Sequence, residues 1–227
     1  MASPIMHVVL ALKILSLLPG TIDKKEFIVG TSFPDIRYLA HLDREQTHFE
    51  PVSWNDVMSC PSSFRAGMLF HNMVDILRIR HFEPDFYDRQ APDRYSSVHV
   101  ALFPLIMKMA EDQVLYEAVY DWHEIMGYFD TIYETEKALC PDPDVIQKWH
   151  TLLQNYFSER PSVASIDRFL KGVGNLSFYT YANYDAVGAF DDLTSNPNFI
   201  KKIQEFYSAF ESFLSSELLE TPIDKIS

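Results

Sequence analysis

His71 and Asp75 stand four residues apart in the stretch from Phe64 to His81. On a helix that spacing sends both side chains off one face. An imidazole nitrogen and a carboxylate oxygen on one face make half of a site for a borderline divalent cation such as zinc. Gly67, one turn before His71, leaves the same face bare, so another backbone can approach closely there. The same pair also reads as a buried hydrogen-bonded histidine and acid, and three His/acid pairs have this spacing: His41/Glu45, His71/Asp75 and His81/Asp85. What separates the readings is whether the chain supplies further ligands.

An upstream segment does. Gly30, the Pro34-Asp35 turn, Arg37, Arg44 and His48 follow one another within nineteen positions, with His48 thirteen residues after Asp35. His7 lies on an N-terminal helical segment, and His81 comes six residues after Asp75. The set His7, Asp35, His48, His71, Asp75 and His81 resembles the zinc-dependent phospholipase C superfamily, which also includes the single-strand-specific zinc nucleases. The likeness covers about residues 5–82 and rests on the Pro-Asp turn, the later histidine and the 71, 75, 81 spacing. It implies an all-helical fold. It also implies that Asp35, His48, His71 and Asp75 form one zinc sphere, that Asp75 bridges to a second metal held by His7, and that His81 belongs to a third. The chain departs from the pattern in two places. It reads Met1-Ala2-Ser3-Pro4 where the family carries a metal-binding amino-terminal tryptophan. It also lacks the downstream His-x-x-x-Glu that would partner His81, with Tyr120 and Glu124 at that spacing instead. One metal sphere is therefore complete in sequence.

Arg37, Arg44 and Arg78 flank these positions. Arg78, seven residues after His71, shares its helical face, where a guanidinium could clamp a phosphate through two parallel hydrogen bonds. The alternative is an ion pair with one of the many acids. In the catalytic reading Asp35 orients or deprotonates a metal-bound water, and Arg78 or Arg37 stabilises charge on the phosphoryl group.

The elements that must position these residues are helical throughout. Apolar periodicity and Pro or Gly stops predict helices over 4–18, 36–42, 53–59, 62–82, 95–109 with a bend at Pro104, 110–138, 144–158, 162–170, 176–191 and 197–219. Residues 21–35 read as a connector with one buried turn. The Lys171–Asn175 segment reads as a helix end rather than a phosphate loop, because no strand precedes it and the Lys-Ser/Thr ending is missing. The expectation is a single all-α domain of eight to ten helices spanning residues 1–227, with the metal ligands in 5–82 and a helical remainder in 95–219.

Composition narrows the partners. A net charge of -13 argues against stable nucleic-acid or anionic-membrane binding. Residues 111–144 hold ten acids and one base, Lys137, an acidic face open to a protein partner. Two cysteines, Cys60 and Cys140, are too few for a disulfide framework or a thiolate zinc site. No apolar run is long enough to span a bilayer, and no leader pattern precedes the first helix. A soluble protein, cytoplasmic or exported without a cleaved signal, is expected. The remaining histidines, His41, His99, His123 and His150, read as surface or core residues.

The functional expectation is a zinc-dependent hydrolase binding one to three ions and acting on a phospholipid head group or other small phosphodiester. A nuclease or phosphomonoesterase of the same superfamily is one alternative. A degenerate helical protein working through surface contacts is the other.

Overall fold

The structure, a computed structural model, describes residues 3–49, 52–86, 103–174 and 186–214. It is all-α, with no strand among the described residues. Helix α1 runs Pro4–Ile14, α2 Lys24–Ser32, α3 Arg37–Ala40, α4 Arg44–Thr47, α5 Trp54–Ser59, α6 Ser63–Phe86 and α7 Phe103–Leu115. Then come α8 Trp122–Gly127, α9 Glu134–Leu139, α10 Pro143–Phe157, α11 Val163–Gly174, α12 Ala186–Ser195 and α13 Pro197–Leu214. One continuous apolar cluster joins residues from α1 through α13. No helix is long and apolar enough to cross a membrane among the described residues.

The layer that matters for the site is α1, α2 and α6. Residues 21–35, expected as a connector, instead hold α2. Asp23 starts it by accepting from the Glu26 backbone N–H at 2.9 Å, an Asp-x-x-Glu start signal. Gly30 sits mid-helix, where α2 crosses α6 backbone to backbone. A methyl group at Gly30 would overlap the Phe64 carbonyl, and one at Gly67 would overlap the Phe27 carbonyl. The close approach expected at Gly67 is thus made by α2.

After α2 the chain tightens into a 3-10 turn, Phe33–Ile36, and passes into α3. His41 ends α3 in the left-handed region at φ 54°, a helix stop that any residue but glycine adopts at some cost. The expected helix over 36–42 is therefore shorter, and Asp35 lies inside the 3-10 turn.

Helix α6 outruns its expected end and continues past Pro84 to Phe86. The helix expected over 110–138 is broken. Val119 turns extended after a 3-10 turn, and Asp121 then caps α8 by accepting from the Glu124 N–H at 3.0 Å. Thr131 is extended again before α9. Helix α7 is described from Phe103 and carries Pro104. His99 and the start of the expected 95–109 helix lie outside the described residues, as do 176–185 and 215–219. Both cysteines are free thiols.

Two acids on α7 lock this layer. Asp112 is fully buried and accepts from the Met6 N–H at 2.8 Å, the Ile5 N–H at 3.3 Å, the Tyr156 hydroxyl at 3.0 Å and the Ser3 hydroxyl. It therefore caps α1 from another helix, satisfying N–H groups that Ser3, the residue before the helix, leaves bare. Its neighbour Glu111 pairs with Arg78 of α6. A third buried acid, Glu136, receives His150 Nε2 at 2.7 Å, while His150 Nδ1 lies 2.9 Å from the Phe129 carbonyl. That pair ties α9 to α10 and uses both ring nitrogens of His150.

Candidate metal centre

Four separate pieces of chain bring five donors together: α1 supplies His7, the 3-10 turn Asp35, the residue after α4 His48, and α6 both His71 and Asp75. Their ligand atoms fall into two overlapping groups. One is His7, His71 and Asp75, the other Asp35, His48 and His71, and within each the atoms lie within 4.8 Å of one another. His71 belongs to both. The three histidines and Asp75 are buried, and Asp35 is partly so.

Two of the three imidazoles are oriented by hydrogen bonds. The His71 Nδ1 lies 2.9 Å from the Thr31 carbonyl. A carbonyl can only accept, so this nitrogen carries a proton, and Nε2 is the ring atom turned toward the cluster. His48 Nδ1 lies 2.9 Å from the Thr47 hydroxyl, which itself points to the Arg44 carbonyl. Again Nε2 is left facing inward. Such outer hydrogen bonds are the usual means of fixing a metal-binding imidazole. Helix α2 thus contributes Thr31 to one ligand while its crossing at Gly30 and Gly67 sets the distance to α6.

The spacings suit an ion better than direct hydrogen bonds. His7 Nε2 is 3.5 Å from Asp75 Oδ1, while His71 Nε2 and His48 Nε2 are 3.7 and 3.9 Å from Asp75 Oδ2. Hydrogen bonds fall at about 2.7–3.2 Å. Two ligands each about 2.0–2.1 Å from a tetrahedral zinc stand roughly 3.4 Å apart. Among the described residues, both His7 nitrogens, His48 Nε2, His71 Nε2 and Asp35 Oδ1 are buried without a hydrogen-bond partner. Leaving a buried polar atom unsatisfied costs about 1–3 kcal/mol, and here several such atoms converge on one point. The residues present therefore fit a divalent cation.

The charge state fits as well. Burial first, and the His71 imidazole second, hold His7 down to about 3. The same two causes hold His48 down to about 3. Both are neutral at pH 7, the form that binds metal. Burial alone would push the Asp75 carboxyl up. It nonetheless lies well below the ordinary carboxylate range, held there by its interactions with the His71 and His7 rings.

Two residues expected at the centre are elsewhere. Arg78 makes a two-pronged ion pair with Glu111, Nε to Oε2 at 2.7 Å and Nη2 to Oε1 at 2.6 Å, with both side chains buried. A guanidinium this deep needs a carboxylate partner, so its fork is committed to Glu111, the ion-pair alternative. His81 packs among aromatic rings, 5.0 Å from both Phe82 and Phe206 and 5.8 Å from Phe213 by centroid. Six residues past Asp75 is about 240° round a helix, so it points away from the other donors and joins neither group. Arg37 does flank the site, beside Asp35. Its guanidinium lies over the Tyr38 ring at 4.1 Å, and Nη2 donates to the Tyr38 hydroxyl at 2.6 Å.

Sequence reasoning missed Thr31 and Thr47, which orient ligands, and Lys108, Glu111 and Asp112, which come in from α7. A signal for the last three existed: charged residues at i, i+3 and i+4 interrupt the apolar run from Leu105 to Leu115. The cleft of about 350 Å³ between α10 and α11, lined by residues such as Leu152, Asn155, Glu159 and Arg168, includes none of the donors. Comparison with protein-family models, curated protein sequences and solved structures finds no match to the chain.

Proposed function

We propose that the chain is a metal-dependent hydrolase of phosphate esters, working on a phospholipid head group or another small phosphodiester. One observation carries this reading: five donors from four chain segments converge, His48 and His71 held by outer hydrogen bonds and several ligand atoms buried without a hydrogen-bond partner. Zinc, held by His7, Asp35, His48, His71 and Asp75, would supply a water of near-neutral pKa and polarise a phosphoryl oxygen. The chain's own residues do the rest. Thr31 and Thr47 keep the imidazoles turned inward. Asp35, the most exposed donor, is placed to orient a water molecule or take its proton through Oδ1. Arg37 adds positive charge at the same edge. Arg78 fixes α6 against α7 through Glu111 rather than meeting substrate.

Burial of His7 and His71 to 1% exposure favours a second reading, a metal that only braces α1, α2 and α6. Metal content and hydrolysis distinguish the two. The purified protein is expected to hold one or two zinc ions by mass spectrometry, to lose them in His71→Ala, and to cleave a chromogenic phosphodiester only when loaded. Zinc without hydrolysis of any phosphate ester would leave the bracing role. No zinc in the wild type after reconstitution would sink both.

A further inference from the structure

Asn72 of α6 is a buried carboxamide that the fold leaves open. It is 2% exposed, and neither Oδ1 nor Nδ2 has a hydrogen-bond partner among the described residues. Buried polar groups are paired as a rule, so an amide open at both atoms marks a place where something else supplies the bonds. Other buried polar groups of the same helix follow the rule. His71, beside it, is bound to the Thr31 carbonyl, and Arg78, six residues on, to Glu111.

Two contacts fix where this amide sits. Asn72 is about 60° round the helix from Asp75 and about 100° from His71, so it stands at the flank of the donor face. Arg65, two turns earlier on α6, leaves the same flank. The chain that follows α4 crosses this flank. His48 reaches Asp75, Nε2 to Oδ2 at 3.9 Å, and the next residue, Phe49, takes the Arg65 guanidinium over its ring at 4.5 Å. Asn72 is therefore bracketed along the helix by two residues that this segment touches, one of them a donor. Farther round the helix, Arg65 is exposed and Leu69 and Ile76 are half-buried. The amide thus stands between the donor cluster and the rim of α6 that meets solvent.

We propose that Asn72 is a positioning residue of the metal centre, its carboxamide holding the oxygen ligand that enters from the rim, a water molecule or a substrate oxygen. Nδ2 donates to that oxygen, and Oδ1 accepts from its hydrogen where it carries one. The assignment rests on the metal-site reading above and deepens it. Five side chains serve the ion, and Asn72 serves the ligand that the protein does not supply. It also explains why an uncharged amide stands there. A carboxylate would compete for the ion, and an apolar side chain would leave the entering oxygen without a partner.

The test uses the full chain loaded with zinc and fluoride as probe, a small anion that binds metal ions in place of an oxygen ligand and accepts hydrogen bonds. Zinc content and then fluoride affinity by calorimetry are measured for the wild type, Asn72→Leu, Asn72→Ala and Asn72→Ser. Asn72→Leu removes the amide at nearly constant volume, and Asn72→Ala does so without any clash. Both are expected to keep zinc, because no protein hydrogen bond is lost. Their fluoride affinity should fall about ten- to a hundred-fold, the effect of losing one hydrogen bond to a charged group. Asn72→Ser, which keeps a donor, should recover part of the loss. Hydrolysis of the chromogenic phosphodiester separates the two sources: a fall in kcat at constant KM marks water, and a rise in KM marks a substrate oxygen. Unchanged fluoride affinity in both variants, with zinc retained, would overturn the assignment and leave the metal reading standing, as would a zinc-loaded wild type that binds no fluoride. Loss of zinc from both variants would also overturn it, since Asn72 would then hold the frame rather than the ligand. A wild type that binds no zinc would overturn both readings.

Discussion

The imidazoles of His7 and His71 lie flat on one another, 3.8 Å between centroids with an 11° angle between planes, while His48 meets His71 edge-on at 5.2 Å. His71 is thus the residue on which the two halves of the donor cluster lean. His71→Ala is expected to abolish zinc binding altogether. His7→Ala and His48→Ala each remove a donor from one group only and should leave a weaker site. Zinc stoichiometry by mass spectrometry on the three variants gives the order. Equal loss in all three would mean a single shared ion.

Acid should unmake the site before it reaches ordinary carboxylates. With folded values of about 3 against about 6.5 unfolded, His7 and His48 bind more protons in the unfolded chain. Their contribution is complete above pH 6.5 and drains away as pH falls toward 3. For His7 it amounts to about 2 kcal/mol lost by pH 5. Asp112 runs the other way: burial pushes it up to about 7, against the Ser3, Met6, Ile5 and Tyr156 donors. Its share is present at low pH and is lost as pH rises through 7. Two rings against one carboxyl leave stability rising with pH between about 4 and 6.5. Urea midpoints of the metal-free protein across that range should show it, and Asp112→Asn should steepen the rise. A flat profile would contradict the assigned charge states.

The crossing of α2 and α6 has no side chain to yield. Gly30→Ala or Gly67→Ala should force the backbones apart at a cost at or above the usual 1–3 kcal/mol of overpacking, because the obstruction is main-chain carbonyl. The same shift would pull Thr31 from His71, so zinc affinity should fall with stability. Gly20→Ala, which meets nothing within 4 Å, is the matched control. Thermal denaturation with and without zinc reads both effects.

Glu111→Ala should cost about 3–5 kcal/mol, since it strands the Arg78 guanidinium in the interior. Replacing both with apolar residues, Arg78→Met with Glu111→Leu, should recover most of that loss. A double-mutant cycle by denaturant unfolding measures it. Should the double variant regain stability yet lose hydrolysis, Arg78 would have a chemical role beyond its ion pair.

His81→Phe is expected to keep full zinc content and to fold at least as stably as the wild type, given the rings of Phe82, Phe206 and Phe213 around it. Loss of an ion in this variant would return His81 to the ligand set.

The helical class was legible from local patterns, and so was the candidate set Asp35, His48, His71 and Asp75 that the structure brings together, whereas His7 came from the resemblance alone. The His71/Asp75 spacing is a property of one helix, and the Pro34-Asp35 turn and His48 follow within fourteen residues. What was not legible depends on contacts between distant segments. Arg78 has the right spacing from His71, but spacing does not reveal a carboxylate arriving from α7 thirty-three residues on. His81 fits the family spacing, yet the helix turns it into an aromatic pocket built partly by α13. Residues 21–35 read as a connector because a glycine such as Gly30 looks alike in a helix and in a loop until the neighbouring backbone is known. The broken 110–138 segment kept an apolar side throughout, and only Asp121 and the extended Val119 and Thr131 mark its joints.

The order of the donors along the chain has a consequence for biosynthesis. All five belong to the first 75 residues, whereas Asp112, which holds the start of α1, and Glu111, which neutralises Arg78, come later. Domains made on the ribosome emerge amino end first. A nascent chain therefore exposes every candidate zinc ligand before either acid that locks their frame exists. All five donors are thus made before α7 arrives to cap α1 through Asp112 and to pair with Arg78 through Glu111.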